Sequence, residues 1–151
     1  MKVQSEVRED GARLVIRREF RATPEAVFDA WCDPRLLAKW MGPADGWTNP
    51  AIEVDLAVGG RFAITMREPG GADHRVGGEY LEIDRPSRLV FTWVWAASPD
   101  RVSRVMVEIA AKPQGRSEMI LTHDRISDSA VRDQHEKGWH GCLDRLERTF
   151  L

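Results

Sequence analysis

The sequence predicts an α+β architecture: a curved antiparallel sheet of about six to seven strands around a long C-terminal helix, with two short helices after strand 1. Three observations carry this. From Trp47 to Ile126 the residues follow a period of two, interrupted by short turns. After Ser127-Asp128 the period becomes helical for about 20 residues. Between the first strand and the alternating region stand two Pro-led helix starts.

The first strand is read at Leu14–Phe20, where Leu14, Ile16 and Phe20 share one parity. Thr23-Pro24-Glu25 then opens a helix, with Thr as N-cap, Pro at the first position and an acid in the first turn. Val27, Phe28 and Trp31 lie on one face of it. Asp33-Pro34 repeats the signal and starts a second short helix, whose apolar side carries Leu36, Leu37 and Trp40. Gly42-Pro43 ends it, because Pro cannot continue a helix. Strand-like runs follow at Ala51–Asp55, Arg61–Arg67, Arg75–Asp84, Arg88–Trp95, Val102–Ala111 and Ser117–Asp124. Val-Gly-Gly, Glu-Pro-Gly-Gly, Arg-Pro-Ser, Ser-Pro-Asp and Lys-Pro-Gln-Gly separate them, all with turn chemistry. Short connections between successive strands make a meander. Val131, Trp139, Cys142, Leu143, Leu146 and Phe150 form the stripe of the final helix, which suits the concave face of a sheet long enough to curl.

Composition narrows the function classes. The 151 residues carry a net charge of -2, with 42% hydrophobic and 30% charged residues, which fits one globular domain spanning 1–151. A near-neutral balance gives no reason to expect nucleic acid as a partner. No apolar run is long enough to span a membrane, so no membrane insertion is expected. The N-terminal MKVQSEVREDGAR lacks the apolar stretch of a signal peptide, and a cytoplasmic location is expected. Cys32 and Cys142 are far apart in no metal-like spacing and read as buried reduced thiols. No phosphate loop and no Gly-x-Ser-x-Gly elbow occurs. His135 and His140 are five apart, roughly 140° round a helix, so they do not pair as metal ligands. Neither a metal nor a cofactor is expected.

Parity sorts the strand residues. Phe62, Ile64 and Met66 oppose Arg61, Thr65 and Arg67; Leu89, Phe91, Trp93 and Trp95 share a face; Val105, Val107 and Ile109 oppose Arg104 and Glu108; Met119, Leu121 and His123 share a face. Tyr80 and Ile83 both suit the inside yet differ in parity, which calls for a bulge. The inner set is large, aromatic and sulfur-containing with few polar atoms. That matches the walls of a small-molecule pocket, and it equally matches an ordinary core. His123 is the one inward titratable group. It reads either as a general acid/base or as a hydrogen-bonded histidine at the mouth of the core.

Taken together, RREFRATPEAVFDAWCDPRLLAKWMGP, DLAVGGRF, GGEYLEIDRPSRLVFTW, ILTHD and GWHGCLDRLERTF resemble a known family. It is the one named for the C-terminal domain of the activator of heat-shock protein 90 ATPase, within the START-like (SRPBCC, birch-allergen-like) superfamily. The resemblance covers roughly Leu14 to Leu151. It implies a helix-grip fold with an internal cavity, and relatives that bind lipids, sterols or polyketides. It also implies that Trp40-Met41-Gly42-Pro43 ends the second helix near the cavity entrance, with Trp31 packed as core and Trp40 lining or gating the pocket.

The expected function is therefore binding of a small hydrophobic ligand between the sheet and the C-terminal helix. The expected contacts are Trp40, Met41, Phe62, Ile64, Met66, Tyr80 and Phe91, together with Trp93, Trp95, Met119, Leu121, His123, Trp139 and Leu143. A co-chaperone or protein-interaction module is the second reading. A chaperone partner ranks lower, because the heat-shock activator proper engages its chaperone through a separate N-terminal domain and only about 13 residues precede Leu14 here. A cyclase- or hydrolase-like enzyme using His123 is the third. A homodimer is left open, since no stripe specifies an interface.

Overall fold

The computed structural model describes residues 3–8 and 11–150, with side chains from residue 12 onward. The chain runs β1 (Val3–Arg8), β2 (Gly11–Phe20), α1 (Pro24–Cys32), α2 (Pro34–Leu37), then β3 (Thr48–Val54), β4 (Arg61–Arg67), β5 (Asp73–Asp84) and β6 (Arg88–Trp95). β7 (Ser103–Lys112), the tight turn Pro113–Gly115, β8 (Arg116–Ile126) and α3 (Ser129–Thr149) complete it. The strands form one antiparallel sheet in the order β1-β2-β8-β7-β6-β5-β4-β3. β2 and β3 are thus near opposite edges, and α1 and α2 carry the chain between them. The α+β helix-grip architecture holds, with eight strands. The strand added to the expected six or seven is β1, whose run VQSEVR holds only two apolar residues and owes its strand form to pairing with β2.

The local signals act as their chemistry requires. Thr23 Oγ1 accepts from the Ala26 amide, and Asp33 caps α2 by accepting from the Arg35 amide. Asp128 caps α3 by accepting from the Val131 amide at 2.9 Å. The bulge demanded by Tyr80 and Ile83 lies between Tyr80 and Glu82. Thr65, expected on the outer face, is buried: the Asn49 side chain reaches across to donate to its carbonyl at 3.1 Å.

How α3 sits decides where the interior is full. Trp139, Cys142, Leu143 and Leu146, at three- and four-residue spacings, are all buried in the C-terminal half of the helix. The N-terminal half buries Arg132, which donates to the Arg13 carbonyl of β2, and otherwise brings half-buried Val131, His135 and Gly138 toward the sheet. The helix therefore grips at one end and stands off at the other. The loop after α2 is clamped on the gripped end, where Arg145 donates to the carbonyls of Gly42 at 3.1 Å and of Lys39 and Trp47 at 3.4 Å.

Two glycines in α3 show the contrast. At Gly141 a Cβ would run into the carbonyl oxygen of Pro43, so only glycine allows the loop its close approach. At Gly138 a Cβ would meet nothing within 4 Å. Gly141→Ala is expected to lose on the order of 2 kcal/mol despite its better helix propensity. Gly138→Ala is expected to gain about 1 kcal/mol. Denaturant unfolding of both variants checks this, and equal signs would contradict the described packing.

Candidate functional site

The gap left under the N-terminal half of α3 is a cavity of about 400 Å³. Pro43 and Trp47 come from the clamped loop, and Met66, His74, Trp93 and Trp95 from β4, β5 and β6. Gln134, His135, Gly138, Trp139 and Cys142 of α3 form the roof. The walls are mostly aromatic carbon. Trp93 and Trp139 lie with ring centroids 5.0 Å apart, and Trp93 and Trp95 meet edge-on at 5.7 Å. A second, more polar hollow of about 760 Å³ adjoins it, sharing His74, Trp93, Trp95, Gln134 and His135.

Of the residues expected to touch a ligand, Met66, Trp93, Trp95 and Trp139 line this cavity. The others do not. Trp40 is fully buried, donates its indole N–H to the Ala30 carbonyl at 3.0 Å and packs edge-on against Trp31 at 4.7 Å. It is core, not a gate, because that hydrogen bond and the Trp31 ring hold it beneath α1. Met41, Phe62, Ile64, Tyr80 and Phe91 surround only about 10 Å³ of space, less than one water needs. Their aromatic rings meet each other at 5.3–6.2 Å. Met119, Leu121 and Leu143 are fully buried in the same core. The deep interior expected to be hollow is filled, and the open space lies at its end.

His123 is also sealed. The Trp139 indole N–H donates to its Nδ1 at 3.0 Å, so Nε2 carries the proton and donates to Ser103 Oγ at 2.7 Å. Ser103 in turn donates to the Trp93 carbonyl at 2.9 Å. Both ring nitrogens are used and no face meets solvent. Burial, then the neighbouring His135, holds its pKa well below 6.5. The expected acid/base candidate is a neutral structural histidine, because its ring belongs to a closed chain of hydrogen bonds. Cys142, although at the cavity wall, is no nucleophile: burial raises its thiol from 9.0 to about 11.

His135 escaped the sequence reading. Its Nδ1 donates to the Val131 carbonyl at 2.8 Å, and its Nε2 accepts from the Trp95 indole at 2.9 Å. Burial lowers its pKa below 6.5 as well. Trp47, His74, Pro43 and Gln134 were likewise not legible as wall residues, since they belong to a loop, a strand end and the sparse half of a helix. Gly138, in the middle of a helix, was the available signal. Among the described residues no group of three or more His, Cys, Asp or Glu could hold a metal ion.

A curved sheet closed on a C-terminal helix, open beneath the helix's N-terminal half, defines a START-like helix-grip domain. The chain belongs to the Activator of Hsp90 ATPase homolog 1-like protein family, whose model matches residues 21–150. Among solved structures, an AHSA1-like protein from Aeromonas hydrophila is 30% identical, with TM-score 0.70, covering 89% of this chain and 90% of its own. The AHSA1 protein from Silicibacter pomeroyi is 29% identical, with TM-score 0.79 and coverage of 91% and 96%. An HSP90 activator from Plasmodium falciparum is 26% identical, with TM-score 0.73 and coverage of 91% and 94%. No curated protein matches the chain. Among the described residues no helix is long and apolar enough to cross a membrane.

The buried histidines make stability depend on pH. Their folded pKa values lie below 6.5, so the unfolded chain binds more protons as pH falls beneath that value. Stability is full above about pH 6.5 and falls toward the folded values, by up to about 1.4 kcal/mol per pH unit per histidine. Urea unfolding from about pH 7 to about pH 5 is expected to show this fall, with a shallower slope for His123→Gln and for His135→Gln. Unchanged slopes in both variants would contradict it.

Proposed function

We propose that this protein binds a small, mostly apolar molecule at the open end of the grip, between Trp93, Trp95 and Trp139 and the clamped loop. The observation that carries the reading is the cavity of about 400 Å³, which is within the range of small-molecule sites and has aromatic walls. Gly138 supports it: the packing does not require a glycine there, and its missing side chain is what keeps the space clear. Burial of the ligand's apolar surface would supply about 25 cal/mol per Å² before the costs of association are met. The family's fold is consistent with such a role. The reading is of a binding module without catalysis, in the cytoplasm, and two buried free cysteines agree with a reducing setting.

The Plasmodium relative is an HSP90 activator, which favours a chaperone-stimulating module as the second reading. Less on the surface supports it. The outward Arg61, Arg67 and Arg104 are charged, and the exposed large apolar side chains among the described residues are Leu56, Val58, Leu81 and Val102. Stimulation of a cognate chaperone's ATPase by the purified protein would decide for it.

Native mass spectrometry of gently purified protein is expected to show a stoichiometric small-molecule adduct. Gly138→Leu should lack the adduct while unfolding at or above the wild-type temperature, because a Cβ there meets nothing within 4 Å and the side chain enters the cavity. A clean unliganded mass, with no change of tryptophan fluorescence on adding a neutral aromatic probe, would remove this reading.

A further inference from the structure

The mouth of the cavity is unevenly charged. Arg75, Arg101 and Arg125 line the adjoining hollow, all three exposed and none ion-paired among the described residues. The acids there do not balance them. Asp73 is held by Arg67 at 2.7 Å and interacts more weakly with Arg75, and His74 faces Glu68 at 3.5 Å. Asp100 is the remaining carboxylate of the hollow.

Arg125 reaches this rim through its backbone. Between the pairs Ala12–Ile126 and Leu14–His123, two residues of β8 face one of β2, and Arg125 sits at φ 59°. Such a bulge re-aims a side chain at the end of a strand, in a conformation uncommon outside glycine.

Trp93 supplies an independent observation. It is 3% exposed and its ring lines both spaces, while its Nε1 is buried inside the wall, like that of Trp31 in the core, with no acceptor among the described residues. The indoles of Trp40, Trp95 and Trp139 all have acceptors. Six rings surround the space: Trp47, His74, Trp93, Trp95, His135 and Trp139. Their faces and edges suit a flat ring better than a flexible chain.

Resting on the pocket reading above, we infer that the occupant is a planar aromatic acid. Its ring lies among the tryptophans, and its anionic group faces the arginines at the mouth. Guanidinium groups recognise carboxylates and related anions through charge-assisted hydrogen bonds.

Two dyes with the same ring system test this: anilinonaphthalene sulfonate, an anion, and neutral N-phenylnaphthylamine, titrated by fluorescence into the full chain. The sulfonate is expected to bind roughly tenfold or more tighter. The triple variant Arg75→Gln, Arg101→Gln, Arg125→Gln should abolish that preference and leave the neutral dye's affinity unchanged. Naphthoate should displace the bound sulfonate better than decanoate does. Equal affinity for both dyes, or a preference that survives the triple variant, overturns the anionic group while the pocket reading stands. Equal displacement by decanoate overturns the planar ring. Failure of both dyes to bind, or binding that Gly138→Leu leaves untouched, overturns the pocket reading itself.

Discussion

A single chain of hydrogen bonds ties the helix to the sheet at the level where the grip begins. The Trp139 indole donates to His123, His123 to Ser103, and Ser103 to the Trp93 carbonyl, so α3, β8, β7 and β6 are joined by polar contacts inside an apolar core. Every donor and acceptor in it is used, which is what makes such a network tolerable in a low-dielectric interior. It also fixes the ring of Trp139, against which that of Trp93 packs with centroids 5.0 Å apart. Because those two rings form the inner wall of the cavity, the boundary between filled core and open space is set by this chain.

The open space follows from an imbalance along α3. Four large or sulfur-bearing side chains fill the C-terminal half, and Gly141 lets the Pro43 loop press against the helix there. The N-terminal half meets the sheet through Arg132, which donates to the Arg13 carbonyl of β2, and through half-buried Val131 and His135, with no large apolar side chain fully buried there. Since buried side chains pack at nearly crystalline density, such a deficit is not spread evenly but remains as a gap under one end. The polar groups around that gap are already committed: His135 to Trp95 and Val131, His123 to its own chain. What remains uncommitted among the described residues is the Gln134 side chain and the arginines at the mouth. A site built this way is better suited to recognition than to proton transfer.

Much of the fold was legible in the sequence. β4 and β6 match their expected limits residue for residue, and the bulge in β5 was required by the parity of Tyr80 and Ile83. The capping residues Thr23, Asp33 and Asp128 mark their helix starts through local chemistry alone. β1 was not legible, because an edge strand with two apolar residues takes its form from its partner. The site was legible only in part. Parity identified Met66, Trp93 and Trp95 as inward, and the helical stripe identified Trp139, but neither pattern distinguishes a residue facing another side chain from one facing a cavity. Trp40 illustrates this, since it has the composition of a pocket wall and the environment of a core.

The sequence by itself determined which residues point inward, where each helix starts and how the strands follow one another. These depend on local stereochemistry and on the two periodicities, which are properties of neighbouring residues. Only the tertiary structure decided which inward residues meet and which leave space. It joined His123 of β8 to Trp139 of α3, placed His135 against Trp95, and gathered Arg75, Arg101 and Arg125 from three segments at one mouth. Volume and charge add up in space rather than along the chain, so a deficit of one and an excess of the other become visible only after the sheet has curled round its helix.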